Sequence, residues 1–335
     1  MLITAQAHAR AGLIGNPSDG YFGKTISFIM RNFRARVQLW ESPYFEIIPG
    51  DGDLARFDSL LDFLRDQRIH GYYGGMRLIK ASIKCFEDHC ARADIDLDLS
   101  RSFTLRYDSD IPRLVGLGGS SALTVATLRA LMQFYSVEIP QDVLPTLALA
   151  AAQEELGIAA GLQDRVIQTY EGIVYMDFDR KLLESRGYGQ YESLHPPQSP
   201  PLYVAYDPRR TEVTDSGNNR NLRRQFEQGD PTVVKAMQKY RDLTDGAKRA
   251  LMAGDWDELG RLMDENFNLR QTIMNIAPEN LKMINVARAT GASAKFAGSG
   301  GAIVGLYKDA RHYQQLVDDL GKLRCTVLRP LIAAD

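Results

Sequence analysis

The chain has 335 residues, and at about 150 residues per domain this length predicts two domains or one large one. Its 40 Lys and Arg against 42 Asp and Glu argue against a broad nucleic-acid surface, and its 44% hydrophobic residues argue against a disordered chain. Three cysteines and five scattered histidines exclude a disulfide framework and a histidine-rich metal centre.

The N-terminal residues lack the apolar stretch of a secretory signal. No uninterrupted apolar run approaches the roughly 20 residues that span a bilayer. We therefore expect a cytoplasmic protein that binds neither nucleic acid nor membrane. The sequence leaves its oligomeric state open.

The first half of the chain mixes strand and helix patterns. Short apolar or alternating runs, separated by turn residues, predict strands at 11–14, 25–30, 36–40 and 102–107. Apolar residues at helical spacing predict helices over 73–92, after the Gly-Ser turn at 116–121, and from near Pro140 to about Leu156.

The second half begins after the densest proline cluster, His195–Pro201, which is the best candidate for a linker. It reads as helical over 216–290 and then as alternating elements, with strands at 293–297, 302–307 and 324–329 and a helix at 310–322. Because strands and helices are mixed without a strict βαβ period, the pattern predicts an α+β fold. We expect one domain over 1–195 and a second over 196–335.

A glycine-serine segment, Gly116–Ala122, follows an extended stretch and opens a helix. Glycines let the backbone approach a ligand closely, and the first helical turn offers unpaired N–H groups at the positive end of the helix dipole. The segment therefore suits a phosphate, although a simple tight turn before a helix would look the same. It is not a dinucleotide-binding fingerprint, because Ser121 stands where the third glycine would be.

Gly23-Lys24-Thr25 resembles the end of a phosphate-binding P-loop, but Ser18 stands where that motif has its first glycine. The residues after Thr25 also read as a strand, whereas a P-loop leads into a helix. The P-loop interpretation is therefore rejected. Lys24 remains a candidate for contact with a substrate, against the ordinary alternative of a surface lysine.

Two further segments carry possible chemistry. Asp164 follows an apolar, glycine-punctuated run and precedes Arg165, so its carboxylate could accept a proton from a substrate hydroxyl or could simply lie at a helix entry. Near the end of the chain, the glycine-rich loop of Lys295–Gly301 joins two apolar, strand-like runs. That loop could approach phosphates or could be only a connection.

Taken in order, these segments resemble the GHMP kinase superfamily, which includes galactokinases, homoserine kinases and mevalonate kinases. The resemblance covers nearly the whole chain, from Ala7 to Arg329. Within the superfamily the chain is most similar to the glucuronokinases, on the stretches Ala11–Ser27, Gly71–Leu78, Glu155–Val166 and Lys295–Gly301. The resemblance implies a two-domain α+β enzyme with its active site between the domains, which transfers the γ-phosphoryl group of ATP to the anomeric hydroxyl of D-glucuronate with Mg²⁺.

The resemblance also implies roles for individual residues. Asp164 would be the catalytic base and Arg10 the basic residue near the reacting hydroxyl. Asp19 and Asn16 would contact the sugar, in a turn that departs from the galactokinase pattern and so puts galactose in doubt. ATP would be bound by the residues Gly116, Leu117, Gly118, Gly119, Ser120, Ser121, Ala122, Gly298, Ser299 and Gly300. Mg²⁺ would be held by Ser120 or Ser121 with Glu155, or with Glu154 in an alternative register.

A uronic acid carries a carboxylate that a neutral hexose lacks, so the site should supply a cation, ideally an arginine that can pair with both oxygens. The candidates are Arg77 and Arg165, with Lys24 behind them. Three alternatives stay open: a GHMP kinase for galacturonate, a neutral hexose or another alcohol; a non-catalytic sugar and nucleotide sensor; and a dehydrogenase. The missing third glycine argues against the dehydrogenase.

Overall fold

The computed structural model describes residues 2–50, 53, 74–209 and 216–333. Within them the chain forms two sheets and ten α-helices. Of the stretch Gly71–Leu78 that contributed to the family resemblance, residues 71–73 lie outside the described ranges.

The larger sheet is built from the first part of the chain. Its strands are β1 (Leu2–Ile14), β2 (Lys24–Glu41), β3 (Glu46–Ile48), β4 (Phe103–Ser109), β5 (Ile173–Asp177) and β6 (Gln190–Ser193). They pair in the order β3-β4-β2-β5-β6, with β1 also paired to β2, and all neighbours are antiparallel except β3 and β4. Strand β1 therefore runs beside the long β2, which leaves the C-terminal end of β1 close to the start of β2.

Helices cover this sheet. They are α1 (Gly75–Arg92), α2 (Gly119–Tyr135), α3 (Leu144–Gln153), α4 (Gln163–Tyr170) and α5 (Arg180–Arg186), with a short 3-10 helix at Ser18–Tyr21. The small alanines of β1, from Ala5 to Ala11, are buried and leave room for α2 to pack directly on the strand. Helix α2 is buried along nearly its whole length, since Ala122 to Leu128 are all inaccessible.

The second sheet is formed by the C-terminal part of the chain. Its strands β7 (Leu202–Tyr206), β8 (Lys295–Phe296), β9 (Ala302–Leu306) and β10 (Thr326–Leu328) pair in the order β10-β7-β9-β8, all antiparallel. Its helices are α6 (Ser216–Glu227), α7 (Pro231–Ala253), α8 (Trp256–Ile273), α9 (Pro278–Ala289) and α10 (Ala310–Gly321). Asp230, Asp255 and Asp309 cap α7, α8 and α10, each accepting a hydrogen bond from the first turn of its helix.

The two sheets meet through α7, α8 and β9, which contact β1 and β2. The backbone N–H of Gly12 donates to the carbonyl of Ala297 at 2.7 Å, joining β1 to the loop between β8 and β9. The chain also returns after β10, where the N–H of Arg31 donates to the carbonyl of Leu331 at 2.8 Å. Elements from both ends of the sequence therefore surround the end of β1.

Several sequence predictions are corrected by the structure. The separate strands predicted at 25–30 and 36–40 are one continuous strand, because pairing with β1 resumes after an irregularity in which residues 31–33 have no partner in β1. The helix predicted from near Pro140 to about Leu156 begins only at Leu144 and ends at Gln153. The strands and helices between 163 and 206 were not assigned from the sequence. The domain boundary near 195 stays a prediction; it falls between the last strand of the larger sheet and the first of the smaller one.

Among the described residues, no helix has the length and hydropathy needed to cross a membrane.

Candidate active site

Arg10 lies near the middle of β1 and joins three segments that are distant in the sequence. Its Nε and Nη2 donate to Oδ1 and Oδ2 of Asp164 at 2.6 and 2.7 Å. Its Nη1 donates to the carbonyl of Gly116 at 2.6 Å and to that of Ala297 at 3.4 Å. The side chain is only 6% exposed, so this guanidinium is fixed by the protein on every side.

Asp164 is the second residue of α4, at the positive end of the helix. Burial raises the pKa of its carboxyl group, but the paired Arg10 guanidinium outweighs burial and holds the pKa below its usual value. Asp164 is therefore ionised at neutral pH. Two of its lone-pair positions bind Arg10, and the side chain is still 25% exposed, so it can accept a further hydrogen bond from a ligand.

The first glycine loop, Gly116–Gly119, leads directly into α2. Gly116 and Gly118 have φ of +72° and +79°, values at which a side chain would be strained. A Cβ on Gly118 would lie 3.0 Å from the Arg10 side chain, so the loop is pressed against that residue. The N-cap of α2 is Gly118, which has no side chain to satisfy the N–H groups of the first turn. These N–H groups are suited to binding an anion such as a phosphate.

The late glycine loop, Gly298–Gly301, meets the first one. A Cβ on Gly116 would lie 2.9 Å from the carbonyl oxygen of Gly300. A Cβ on Gly298 would clash with the carbonyl of Gly116 and lie 3.1 Å from Nη1 of Arg10. The two loops that the sequence suggested separately are therefore in direct contact, with Arg10 between them.

Asp19 lies in the 3-10 helix after β1, with its carboxylate against Gly161. Burial and the neighbouring charge of Asp164 raise the pKa of Asp19 to about 6, while Arg10 opposes that rise. The structure thus brings Asp19, Asp164 and Arg10 into one cluster. Two carboxylates and one guanidinium are a suitable set for binding sugar hydroxyls.

Asn16 is 4% exposed and connects the end of β1 to the late glycine loop. Its Nδ2 donates to the carbonyls of Gly298 at 3.3 Å and Phe296 at 3.5 Å, while its Oδ1 has no hydrogen-bond partner. Asn266 of α8 holds this turn from the other side, accepting from the N–H of Gly15 at 2.7 Å and donating to the carbonyl of Asn16 at 3.3 Å. The turn that carries Asp19 is therefore anchored to the C-terminal part of the chain.

Two further basic side chains, Lys295 and Arg270, contact the late glycine loop or the residues just before it. Nζ of Lys295 is buried and donates to the carbonyls of Gly12 and Phe296, both at 2.7 Å. Burial, and then the nearby charges of Arg270 and Arg10, lower its pKa well below the ordinary value. Arg270 of α8 donates from Nη1 to the carbonyl of Gly298 at 3.0 Å. Arg10 and Arg270 match the two carboxylates of Asp19 and Asp164 in number, while burial disfavours the charged form of Lys295.

The sequence of the whole chain identifies its family. Residues 77–172 match the family described as GHMP kinases N terminal domain, and residues 247–323 match GHMP kinases C terminal. Probable glucuronokinase 2 of Arabidopsis thaliana is 42% identical over 307 residues, which cover 89% of this chain and 82% of that protein. The chain belongs to the GHMP kinase family. Glucuronokinase 1 of the same plant is 40% identical over 309 residues, 90% of this chain and 84% of that protein.

The GHMP kinase fold is also found in solved structures of similar shape. Phosphomevalonate kinase of Streptococcus pneumoniae, solved in complex with phosphomevalonate and AMPPNP, matches with a TM-score of 0.76 over 99% of this chain and 100% of that one. At 18% sequence identity this likeness concerns the fold alone. The predicted α+β architecture of the superfamily is confirmed.

The three cations predicted to bind a substrate carboxylate lie on different elements of this GHMP kinase, with Lys24 in β2, Arg165 in α4 and Arg77 in α1. Nζ of Lys24 lies 2.9 Å from Asp245 and 3.6 Å from Asp177, so protein carboxylates match its charge. Arg165 is buried and donates to the carbonyls of Gly161 and Ala148 at 2.8 and 3.4 Å. Arg77 is exposed in the first turn of α1.

The residues predicted to hold Mg²⁺ lie on two segments, with the two serines at the start of α2 and the two glutamates just after α3. The hydroxyl of Ser121 donates to the carbonyl of Gly118 at 3.0 Å, and Ser120 lies in the first turn of α2. Glu155 forms an ion pair with Lys84 of α1 at 3.2 Å, while Glu154 is exposed just after α3. In the part of the chain that the structure describes, no three acidic, His or Cys side chains form a metal-binding group. The assignments of Ser120, Ser121, Glu155 and Glu154 to Mg²⁺ stay predictions.

Sequence reasoning did not find several residues of this site. Asn266, Arg270 and Gln163, the last hydrogen-bonded to Asp164, lie in helices with ordinary amphipathic patterns, where a buried polar residue gives no local signal. In the sequence Lys295 is the first residue of the late loop. A lysine among apolar residues that predict a buried strand is a usable signal, because lysines are almost never fully buried without a reason.

Proposed function

We propose that this GHMP kinase transfers the γ-phosphoryl group of ATP to the anomeric hydroxyl of D-glucuronate, forming D-glucuronate 1-phosphate and ADP. The main structural support for phosphoryl transfer is the bidentate Arg10–Asp164 pair, which lies where the two glycine loops meet. Glucuronate as the acceptor is supported by the two Arabidopsis glucuronokinases at 40–42% identity.

Asp164 is proposed to orient the acceptor hydroxyl. Because Arg10 holds it ionised, it can accept a hydrogen bond from that hydroxyl at neutral pH and take the proton as the oxygen attacks phosphorus. Its lowered pKa makes it a weak base. That is sufficient for phosphoryl transfer, whose loose transition state depends more on positioning than on early removal of the proton.

The phosphates of ATP are proposed to lie between the two glycine loops. The new bond forms between the sugar oxygen and the γ-phosphorus as the bond from that phosphorus to the β,γ-bridging oxygen breaks, and the leaving electron pair stays on ADP. The N–H groups at the start of α2, over Gly119–Ser121, would bind the charged oxygens. Arg10 would oppose the charge that develops between donor and acceptor.

Mg²⁺ is proposed to enter as part of the MgATP co-substrate. Mg²⁺ commonly keeps several waters and binds through substrate phosphates with few protein ligands, so a separate protein cage is not required. The hydroxyl of Ser120, in the first turn of α2, is proposed as a ligand from the protein.

ADP release from purified protein with MgATP tests the proposal. The acceptor panel contains D-glucuronate, D-galacturonate, D-glucose, D-galactose, mevalonate and homoserine. We expect turnover with glucuronate well above that with every other acceptor. Turnover of a neutral sugar in preference would contradict the proposed acceptor, and no turnover with any acceptor would favour a sugar and nucleotide sensor.

The Asp164→Asn variant tests the mechanism in the same assay. We expect kcat to fall by about 10²- to 10⁴-fold, because the amide cannot take the proton and leaves Arg10 unpaired. Asp257→Asn makes the same change at an exposed position of α8 and should leave kcat unchanged. Near-normal turnover by a folded Asp164→Asn variant would exclude Asp164 as the base.

A further inference from the structure

The inference concerns how the site distinguishes a uronic acid from a neutral sugar, and it rests on the proposed function. Asp19 and Asp164 both lie at the proposed sugar site, and their two carboxylates would repel the carboxylate of a sugar acid. Binding glucuronate therefore requires a cation that is close to Asp19, reachable from solvent, and not already neutralised by the protein.

The buried cations near Asp19 do not meet these conditions. The guanidinium of Arg165 is buried and bonded to main-chain carbonyls, and that of Arg10 is held by both oxygens of Asp164. Lys24 is matched by two carboxylates, Asp245 and Asp177. A ligand carboxylate would have to displace these partners, at the cost of leaving buried polar groups unsatisfied.

Arg223 of α6 does meet them. Its Nη2 donates to the carbonyl of Gly20, the residue after Asp19, at 3.1 Å. Its guanidinium also lies 5.6 Å from the ring centre of Tyr21. The side chain is 53% exposed, and its ion-pair partner Glu227 lies 3.7 Å away and is itself 63% exposed. Such an exposed pair contributes little, so a ligand carboxylate can compete for the guanidinium.

The position of Arg223 is set by apolar packing rather than by its own polar contacts. Phe226, one turn along α6, packs edge-on against Tyr21 with ring centres 5.1 Å apart. It also lies 6.5 Å from the ring of Phe22, and Leu222 is 1% exposed. These contacts fix α6 on the 3-10 helix that carries Asp19 and keep Arg223 beside the carbonyl of Gly20, the next residue along the chain.

We propose that Arg223 binds the carboxylate of the sugar acid and thereby determines the preference for a uronic acid over a neutral sugar. The guanidinium would pair with the carboxylate on C5 of the pyranose ring, while Asp164 binds the anomeric hydroxyl on C1, across the ring oxygen. The fork of an arginine can bind both oxygens of a carboxylate, so it recognises shape as well as charge.

The experiment compares Arg223→Ala with Arg224→Ala in steady-state kinetics. Arg224 is the adjacent residue, bonded to Asn221 of its own helix at 2.9 Å, and serves as a matched control. D-glucuronamide, which replaces the carboxylate with a neutral amide of similar shape, is measured as an inhibitor against D-glucuronate. For Arg223→Ala we expect KM for glucuronate to rise about 10-fold or more with the inhibition constant of glucuronamide nearly unchanged. Arg224→Ala should change neither, and Arg223→Lys should restore part of the affinity.

The possible outcomes separate this inference from the proposed function. If the unmodified protein does not phosphorylate glucuronate, the proposed function fails and the inference fails with it. If it does, but Arg223→Ala weakens glucuronate and glucuronamide equally or weakens neither, only the inference is overturned. A selective effect of Arg77→Ala without one of Arg223→Ala would assign the carboxylate to α1 instead. Melting temperatures close to that of the unmodified protein show that the variants are folded.

Discussion

At the scale of single residues, the site depends on how one arginine divides its hydrogen bonds. Arg10 donates two of them to Asp164, one to the carbonyl of Gly116 in the first glycine loop, and one to the carbonyl of Ala297 just before the late loop. The same guanidinium therefore lowers the pKa of the proposed base and fixes the loops around the proposed phosphate position. The neighbouring Asp19 has the opposite shift, because burial and the charge of Asp164 both disfavour its ionised form.

This contrast predicts a pH dependence that belongs to Asp19. Its carboxyl group, with a pKa of about 6, is protonated below that pH and ionised above it. If the ionised form accepts hydrogen bonds from sugar hydroxyls, kcat/KM for the sugar rises as pH increases through about 6. We expect Asp19→Asn to lower kcat/KM and to remove this limb of the profile. A limb near pH 6 that persists in Asp19→Asn would assign the titration to another group.

The raised pKa of Asp19 also makes the folded state less stable as pH increases, which is opposite to its expected effect on activity. Because the folded-state pKa of Asp19 lies above its unfolded value, burial of this group costs nothing below the unfolded pKa. The cost grows as pH rises towards about 6 and is complete above it. At this position the ionised carboxylate of Asp19 therefore lowers the free energy of unfolding at neutral pH. Such positions are frequent in binding sites.

At the scale of elements, the two glycine loops act as one structure. Gly116 has a positive φ and lies directly against Gly300, so both its backbone conformation and its lack of a side chain are needed. Helix α2 begins at Gly119, three residues after Gly116, so the N–H groups of its first turn lie next to the contact between the loops. The position of the proposed phosphate site thus depends on loop–loop contact as well as on the helix.

The Gly116→Ala variant tests this contact. An alanine here meets the strain of a positive φ, about 1–2 kcal/mol, and a Cβ 2.9 Å from the Gly300 carbonyl. Gly187→Ala has a similar φ of +80° with open space around the Cβ, so it measures the strain alone. We expect both variants to lose stability in urea unfolding, but only Gly116→Ala to raise KM for ATP, by about 10-fold or more. Equal KM values for the two variants would contradict the role of the contact.

At the scale of the whole molecule, the site is assembled from both sheets and from helices that follow them. Asp164 and the first glycine loop come from the part of the chain before residue 195, while the late glycine loop, Asn266 and Arg270 come from the part after it. Asn266 connects the two parts, because it accepts a hydrogen bond from the N–H of Gly15 and donates one to the carbonyl of Asn16. The turn with Asp19 is therefore positioned by a helix more than 240 residues further along the chain.

Removal of this connection should affect both stability and substrate binding. Asn266→Ala leaves the buried N–H of Gly15 without its acceptor, which costs about 1–3 kcal/mol. We expect a lower urea midpoint together with a higher KM for the sugar, since the turn with Asp19 loses its anchor. Asn285→Ala, on the exposed side of α9, should change stability by less than about 0.5 kcal/mol. A stability loss without any change in KM would show that the turn keeps its position without Asn266.

The sequence by itself determined the parts of the site that have local signatures. A glycine-serine turn before a helix, an aspartate after a glycine-punctuated run and a late glycine-rich loop are visible because their backbone requirements restrict residue type. Their order along the chain was enough to indicate the kinase family, and the family comparisons confirm it. The length and the residue composition excluded other classes but did not point to the chemistry.

Only the tertiary structure decided which groups face one another. It paired Lys24 with Asp245, directed Arg165 to main-chain carbonyls, and placed Arg223 on the carbonyl of Gly20 across more than 200 residues of sequence. Such partners depend on how helices pack on sheets, and the periodicity of a helix gives its buried face but not what that face meets. The net charge of -2 gave no sign of the cations gathered at the two glycine loops, because an average over the chain carries no information about position.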